Sequence, residues 1–321
     1  MKRSTGLTFF ALFAGALLII GLLGFRLASE KNEGAETPQV EEVPAETAGV
    51  LHNPPSLEDV PEGPEGAAIM RGYELVNNTS EVLWSESATT EDGRERVNGL
   101  SCTSCHAGAG LEEDSSSLVG MAAAYPMYIG RSGDIVTLEE RINGCMVRSM
   151  DGQPLEGEDL DAMVSYFKYI SEGIPVGAEM PWRQKNSLDE LPVPNVEDGE
   201  ALYQQSCIAC HAGDGSGIGS NNGPALWGPD SFNDGAGMSR LTKMAGYLQN
   251  NMPKGAEGTL TDQEAADLAA YILAQDRPEW SGHENDWPKG GRPNDIINKE
   301  RREEIRNGTI NWDEVLKPAE K

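Results

Sequence analysis

Basic residues are scarce in this chain. Its 321 residues include 25 Lys and Arg against 52 Asp and Glu, which gives a formal net charge of −27 at pH 7. Proteins that bind nucleic acid need clustered cations to neutralise phosphates, so this balance argues against a nucleic-acid partner. A strongly acidic surface favours a basic protein partner, or a saline or alkaline habitat, and the composition does not choose between them.

Cysteine and histidine are also rare, with five Cys and four His. Most of them belong to two copies of the motif C-x-x-C-H, which are Cys102-Thr-Ser-Cys105-His106 and Cys207-Ile-Ala-Cys210-His211. This motif attaches c-type haem, because the two thiols form thioethers and the histidine takes one axial site of the iron. The sequence therefore predicts two covalently bound haem c groups, no disulfide, and one unpaired thiol at Cys145.

One long apolar run is present, from Leu7 to Phe25, shortly after Lys2 and Arg3. It is close to the ~20 residues that span a bilayer, and the two basic residues orient the rest of the chain outside the cytoplasm. We predict a membrane anchor over residues 1–26, with a cleaved signal peptide as the alternative. Haem attachment to C-x-x-C-H is, by resemblance to c-type cytochromes in general, an extracytoplasmic event. Both observations predict an extracytoplasmic protein that is attached to the membrane through its N-terminus.

The chain repeats itself with a fixed spacing. Leu155 follows His106 by 49 residues, and Leu260 follows His211 by 49 residues. Each unit has the pattern of a helix, a haem motif, a loop and a closing helix, which is the plan of a cytochrome c with one haem. The predicted fold is all-α, with two tandem cytochrome c-like haem domains joined by a proline-rich linker. The predicted regions are an acidic tether at 27–65, domain 1 at 66–180, domain 2 at 181–282 and a charged C-terminal tail at 283–321.

Local patterns predict where several helices begin and end. The apolar residues Ile69, Met70, Tyr73 and Val76 share one face of a predicted helix over 66–76. Capping boxes at Thr137 and Thr261, each with Glu three residues later, predict two helix starts. Asn143 and Gly144 are expected to end the first of these helices immediately before Cys145.

The two histidines outside the haem motifs are expected to be surface residues. His52 lies in the proline-rich tether and His283 lies in the polar tail. Neither region has periodic apolar positions that would hold a histidine in a ligand geometry. We expect the tail to cover the surface without a chemical role.

The second unit carries a methionine where a distal haem ligand is expected. Asn251-Met252-Pro253 resembles the distal-ligand turn of class I cytochromes c. Gly223-Pro224 opens a loop that resembles the one whose proline carbonyl orients the proximal histidine. Met238 and Met244 remain rival sulfur ligands, and core packing is the alternative role of any methionine. We predict that Met252 and His211 bind the second iron, a ligand pair that gives a comparatively high reduction potential.

In the first unit, Cys145 occupies nearly the corresponding place, ten residues before Leu155. A lone cysteine is ordinarily a small buried apolar residue, and Met146 and Met150 are rival sulfur ligands. The repeat, the unpaired thiol and the flanking arginines favour Cys145 as the distal ligand opposite His106. A thiolate is a strong donor, so the first haem is expected to have a much lower potential than the second.

Arginines surround Cys145 in a chain with twice as many acids as bases. Arg141 and Arg148 flank it, and Arg131 lies upstream. Guanidinium groups bind oxyanions bidentately. The alternative partners of these arginines are Glu139, Glu140 and the haem propionates. A cationic pocket beside a reactive sulfur on a haem indicates chemistry on a small sulfur oxyanion, with Cys145 and the three arginines as catalytic residues.

Four segments carry a more specific pattern. They are Leu100–His106, Tyr125–Arg131, Thr137–Met150 and Phe232–Met238. They resemble the dihaem thiosulfate dehydrogenases of the TsdA type, and the likeness covers about Gly66 to Pro288. The resemblance implies oxidation of two thiosulfates to tetrathionate, or the reverse. It also implies His106 and Cys145 at the active haem, His211 and Met252 at the electron-exit haem, and a redox protein or quinone-linked acceptor as partner.

A mechanism consistent with both lines of reasoning uses Cys145 as the reacting sulfur. Thiosulfate binds to the arginines, and its outer sulfur meets Cys145 displaced from the iron. A second thiosulfate completes tetrathionate, and two electrons leave through the first haem to the second.

Two alternatives remain. SoxAX cytochromes transfer a thiosulfate group to a carrier protein, but their working cysteine lies in the later haem unit, which here has only Cys207 and Cys210. A membrane-tethered dihaem electron-transfer cytochrome would need no arginines beside Cys145.

Overall fold

The computed structural model describes residues 50–86, 97–184 and 186–318. The apolar run at 7–25 and most of the expected tether lie outside these residues, so the anchor stays a prediction. Within the described ranges the longest helix has 14 residues, and none is both long and apolar enough to cross a bilayer.

The described part of the chain is mostly helical. Its α-helices are α1 (Pro64–Asn77), α2 (Thr79–Glu86), α3 (Met121–Ala124), α4 (Leu138–Arg148), α5 (Gly157–Tyr169), α6 (Val196–Ser206), α7 (Ile208–His211), α8 (Leu241–Asn251), α9 (Asp262–Leu273), α10 (Lys299–Arg306) and α11 (Trp312–Val315). Short 3₁₀ helices lie at Leu57–Asp59, Cys102–Ser104, Gly108–Gly110, Pro181–Gln184, Gly237–Ser239 and His283–Asn285. The first haem motif begins with the 3₁₀ helix Cys102–Ser104, and the second motif contains the short helix α7.

A small antiparallel sheet is present that the all-α prediction missed. Strand β1 (Met127–Ile129) pairs with β2 (Asp134–Val136), with Tyr128 opposite Ile135. β-branched and aromatic residues on both sides of a glycine-containing turn favour such a hairpin. Both Tyr128 and Ile135 are exposed, so the segment gave no alternating burial pattern in the sequence. The turn of this hairpin carries Arg131.

The predicted repeat is visible in how the helices cross. Helix α1 packs on the closing helix α5, and a methyl group at Gly72 would lie 2.1 Å from the carbonyl oxygen of Ala162. Helix α6 packs on α9 in the same way, and a methyl group at Gly199 would lie 2.1 Å from the carbonyl oxygen of Asp267. Ala162 and Asp267 are separated by 105 residues, as are the two motif histidines. Both crossings contribute to one buried apolar cluster that includes Leu75, Tyr166, Tyr203 and Leu268.

The helix that carries Cys145 starts as predicted and continues further than predicted. Thr137 caps α4 through a capping box with Glu140, which confirms the predicted start. The predicted end at Asn143 and Gly144 is wrong, because α4 runs on to Arg148. Asn143 uses its side chain for two bonds with the backbone of Leu155, at 2.7 and 3.1 Å, so it does not compete with the helix backbone.

Other predictions about helices are largely correct. The helix expected over 66–76 is α1, but Met70 is exposed rather than part of its buried face. Thr261 caps α9 through a capping box with Glu264, as expected. Helix α6 leads into the second haem motif.

The proline-rich segment between the repeats packs on the first repeat. Trp182 is buried, and its indole N–H donates to the Val119 carbonyl over 3.0 Å. His52 lies edge-on to Trp182, with ring centroids 5.2 Å apart, and its Nε2 lies 2.8 Å from the Ser117 hydroxyl. The prediction of an exposed His52 is therefore wrong. Its partners are more than 60 residues away in sequence, so local composition could not indicate them.

Candidate functional site

Two large cavities contain the two C-x-x-C-H motifs. The first has a volume of about 410 Å³ and is lined by Cys102, Cys105 and His106. The second has a volume of about 710 Å³ and is lined by Cys207, Cys210 and His211. The residues that line both cavities are Leu100, Cys105, Phe232, Met238 and Tyr247. The two cavities are therefore neighbours that share a wall.

Both motif histidines are oriented by a backbone carbonyl. His106 Nδ1 lies 2.5 Å from the Ser116 carbonyl oxygen, and His211 Nδ1 lies 2.8 Å from the Pro224 carbonyl oxygen. This arrangement leaves Nε2 of each ring as the nitrogen that can bind a metal. Burial lowers the pKa of both imidazoles, which favours the neutral form that binds iron. The proline carbonyl was expected from the sequence, whereas the serine carbonyl had no recognisable signal.

The thiols of the first motif lie among apolar walls. Burial raises the pKa of Cys102 to about 12 and that of Cys105 to about 11. Thr79 also contacts Cys102, since its hydroxyl lies 3.3 Å from the sulfur and accepts from the Cys102 N–H over 3.0 Å. Paired thiols, a histidine with a free Nε2 and a largely apolar cavity are the features that haem c requires, so the residues fit this group.

The two expected distal residues lie in the two cavities. Cys145 lies in the middle of α4 and lines the first cavity, and Met252 follows the last residue of α8 and lines the second. The rivals Met238 and Met244 also line the second cavity, and Met146 and Met150 line the first. The cavity linings alone therefore leave the choice of sulfur ligand a prediction.

Arg141 is bound to the sulfur of Cys145. The two residues are one helical turn apart on α4, and Arg141 Nη1 lies 2.9 Å from Cys145 Sγ. The charge of a Cys145 thiolate is the largest influence on Arg141 and raises its pKa despite burial. Tyr125 also interacts with this guanidinium. The pairing places a cation in direct contact with the sulfur of Cys145.

Arg131 is held at the wall of the same cavity by residues far away in sequence. Its Nη1 donates to the Gly235 carbonyl over 2.5 Å, and its guanidinium lies 4.7 Å from the ring centroid of Trp287. The Trp287 N–H in turn donates to the Arg131 carbonyl over 2.7 Å. Burial is the main cause that lowers the pKa of Arg131 to about 10, and the charge of Arg148 adds to it.

Arg148 has a different environment, because it is not among the residues that line the first cavity. Its guanidinium donates to both carboxylate oxygens of Asp286, over 2.8 and 2.6 Å, and lies 4.4 Å from the ring centroid of Trp280. It also donates to the Gly235 carbonyl over 3.3 Å. Its partner is therefore an acid of the C-terminal tail rather than the neighbouring glutamates suggested by the sequence.

The tail makes further contacts with the second repeat, which agree with a segment that covers it. His283 Nε2 lies 2.8 Å from Asp234 Oδ1, and its side chain is 25% exposed, so this histidine lies at the surface with a fixed partner. Arg302 donates to the other oxygen of Asp234, Oδ2, over 3.0 Å, and the Trp280 N–H donates to Oδ1 over 2.7 Å. Burial raises the pKa of Asp234, but these donors outweigh it, and the net pKa lies below the usual value. Asp234 belongs to the predicted segment Phe232–Met238.

Three cations in the first cavity were not singled out from the sequence. They are Arg183, Arg240 and Lys243. Arg183 belongs to the 3₁₀ helix of the proline-rich segment, and the other two lie at the start of α8. Arg240 Nε donates to Asp295 over 3.0 Å, which neutralises its charge. A basic residue beside tryptophan in an acidic linker was the available signal for Arg183.

Comparison with known proteins identifies the class of protein to which this chain belongs. Residues 81–176 match the family model described as SoxA/TsdA, cytochrome c domain. Residues 194–272 match the one described as cytochrome C oxidase, cbb3-type, subunit III. Together with the motif geometry, these matches identify a c-type cytochrome with tandem cytochrome c domains and covalently bound haem c.

Its relatives give a narrower assignment. A thiosulfate dehydrogenase of Psychrobacter arcticus is 36% identical, over 75% of this chain and 73% of the relative. One of Allochromatium vinosum is 38% identical, over 70% and 83% respectively. The chain belongs to the thiosulfate dehydrogenase family. A solved structure of thiosulfate dehydrogenase (TsdBA) from Marichromatium purpuratum is 35% identical with a TM-score of 0.63, covering 71% of this chain. This chain matches 50% of the length of that one.

Proposed function

We propose that this protein oxidises two thiosulfates to tetrathionate, or catalyses the reverse reaction, in the first cavity. The observation that carries the proposal is the 2.9 Å contact between Arg141 and Cys145, in a cavity that also contains a haem motif and further cations. A thiolate held beside guanidinium groups can meet an anion that carries its own nucleophilic sulfur. Membership of the thiosulfate dehydrogenase family supports the same substrate.

The overall reaction joins the outer sulfurs of two thiosulfates and releases two electrons. In the first step the Cys145 thiolate and the outer sulfur of one thiosulfate form a sulfur–sulfur bond, giving Cys–S–S–SO₃⁻ and two electrons. In the second step the outer sulfur of another thiosulfate attacks the adduct at the sulfur that lies between Cys145 Sγ and the sulfonate. Tetrathionate leaves and the Cys145 thiolate is regenerated, so sulfur and charge balance. Haem c supplies the acceptor for the two electrons when it is bound.

The cavity residues have distinct proposed roles in these steps. Arg141 stabilises the Cys145 thiolate both before attack and as the leaving group of the second step. Arg131 binds the sulfonate of the substrate. Arg148 keeps the C-terminal tail in place and acts on the substrate only through it, because its donors are occupied by Asp286 and Gly235.

We further propose two haem c groups, one that His106 and Cys145 would hold and one that His211 and Met252 would hold. The wall that the two cavities share supports a short path for electrons from the first to the second. Electrons then leave to a redox protein or a quinone-linked acceptor. We propose an extracytoplasmic location with membrane attachment through the apolar run at 7–25, which lies outside the described residues.

The test compares the parent protein with Cys145→Ala, both loaded with haem. We expect the parent to oxidise thiosulfate with an artificial acceptor and to reduce tetrathionate with a reduced donor, and the variant to lose both activities. Lys168→Met removes an exposed charge from α5 and serves as the control with parental rates. Thiosulfate-dependent turnover retained by Cys145→Ala would sink the mechanism. A parent that is inactive in both directions would favour a tethered electron-transfer cytochrome instead.

A further inference from the structure

The first cavity contains more uncompensated positive charge than one thiosulfate needs. Five cations line it, and Arg240 among them is paired with Asp295. Within the part of the chain that the structure describes, Arg131, Arg141 and Arg183 have no carboxylate at ion-pair distance. Unpaired guanidinium groups in a partly buried site are costly unless an anion completes them. The lack of carboxylate partners for these arginines is not caused by a shortage of acids, because the formal net charge of the chain is −27.

One of the three guanidinium groups, that of Arg141, already has a partner in the cavity. Arg141 Nη1 lies 2.9 Å from Cys145 Sγ, so this guanidinium already has the sulfur as its partner. Within the described residues, Arg131 and Arg183 are the other guanidinium groups of the cavity without a carboxylate at ion-pair distance, although the charge of Asp286 acts on Arg131 from further away. The reaction requires two sulfonates in the cavity at once, one from each thiosulfate.

Arg131 and Arg183 belong to different elements of the structure and lie in different surroundings. Arg131 belongs to the hairpin turn and is held by Gly235 and Trp287. Arg183 belongs to the proline-rich segment, where the neighbouring Trp182 is anchored to the first repeat.

The charges around the two arginines agree with this separation. Burial lowers the pKa of Arg183, and Arg141 is the cation that lowers it further, while Tyr125 interacts with the guanidinium and raises it. Burial also lowers the pKa of Arg131, and there the contributing cations are Arg148, Arg141 and Arg240. Arg141 is therefore the cation that both arginines have as a neighbour.

We infer that Arg131 and Arg183 define two separate sulfonate subsites in the cavity that contains the Arg141–Cys145 pair, and that each subsite takes one thiosulfate. The inference rests on the proposed function, since it assigns the two substrates of that reaction to their places. Arg183 with Tyr125 forms the subsite that the sequence did not indicate. In the reverse reaction, the two ends of tetrathionate occupy the two subsites, with the central sulfur–sulfur bond beside Cys145. A guanidinium can donate two parallel hydrogen bonds to each sulfonate.

The test counts bound thiosulfate on the haem-loaded protein after complete electrochemical reduction, a state that cannot oxidise it. Isothermal titration calorimetry should give two thiosulfates per chain for the parent and for the Lys168→Met control, and one for Arg183→Met. In turnover, Arg183→Met should raise the half-saturating concentrations of thiosulfate and tetrathionate about tenfold, as expected for a lost charge-assisted contact. Arg183→Lys keeps the charge and should recover part of this loss. Haem absorption spectra check that each variant is folded and loaded.

Three results would overturn the inference. They are one thiosulfate bound to the parent, two bound to Arg183→Met, or an Arg183→Met variant whose reduction potential shifts while its binding stoichiometry does not. The last result would assign Arg183 to a haem propionate. A parent that binds two thiosulfates without turnover would refute the proposed function and leave the two subsites standing. A parent that turns over thiosulfate but binds only one would refute the subsites alone.

Discussion

The pair of Arg148 and Asp286 separates a positioning arginine from a substrate-binding one. Their side chains are 18% and 4% exposed, and the guanidinium spans both carboxylate oxygens at 2.8 and 2.6 Å. Breaking a buried pair from one side leaves a charge without its partner, which costs about 3–5 kcal/mol in stability. Because Arg148 keeps Gly235 and Trp280 as neighbours, we expect Asp286→Asn to lower the free energy of unfolding by about 3 kcal/mol.

A double-mutant cycle measures how far the two residues act as a unit. Arg148→Met should destabilise by a similar amount, and the double variant should be less destabilised than the sum of the singles by about 2 kcal/mol. Urea unfolding of the haem-loaded proteins, followed by circular dichroism and haem absorbance, measures each free energy. Arg306→Met in the exposed pair with Asp276 is the control and should change stability by less than about 1 kcal/mol.

The same variants discriminate between two roles in turnover. If Arg148 positions the tail and through it Arg131, then Arg148→Met and Asp286→Asn should raise the half-saturating thiosulfate concentration by similar factors, about three- to tenfold. If Arg148 binds substrate, then Asp286→Asn would leave a free guanidinium and retain turnover, while Arg148→Met would abolish it. That second pattern would refute the positioning role and restore Arg148 as a catalytic residue.

Two further predictions concern stability. Asp234→Asn should cost about 3 kcal/mol at neutral pH, because a buried carboxylate loses its charge among cationic donors, whereas exposed Asp276→Asn should cost little. The pKa of Asp234 is held low when folded, so its contribution is present above the unfolded pKa of about 3.9 and is lost as pH falls through the lower folded value. The melting temperatures of parent and variant should therefore begin to converge as the pH falls below about 4, and a constant difference would contradict this reasoning. Gly72→Ala should destabilise by about 2 kcal/mol or more, since its methyl group would meet backbone at 2.1 Å, whereas Gly144→Ala in open space should be neutral or stabilising. Equal unfolding midpoints for these two variants would refute the account of the helix crossing.

The features predictable from sequence were those encoded within a few residues. The haem motifs, the capping boxes at Thr137 and Thr261 and the spacing of the repeat depend on local chemistry, and the structure contains the corresponding elements. The end predicted for α4 failed for a non-local reason, since Asn143 binds the backbone of Leu155. The hairpin was not predicted because its exposed strands show no alternation of apolar and polar residues in the sequence.

The environment of the candidate site could not be predicted in the same way. The sequence selected Arg131, Arg141 and Arg148 by proximity to Cys145, but it could not show that Arg148 is not among the residues that line the cavity. That distinction depends on Asp286, which lies 138 residues after Arg148. It could equally not show that Arg183 turns into the cavity, because its orientation depends on how the proline-rich segment packs on the first repeat.

The positions of the acids explain how an acidic chain can maintain an anion-binding cavity. Arg148, Arg240 and Arg302 each pair with an aspartate at distances of 2.6 to 3.0 Å. Their partners are Asp286, Asp295 and Asp234, which come from the tail and the second repeat. These aspartates neutralise three arginines, of which Arg240 lines the cavity. Within the described residues, the lining residues Arg131, Arg141 and Arg183 have no carboxylate at ion-pair distance. The tail therefore determines which arginines remain available to a dianion, and this is why a change at Asp286 should reach the substrate.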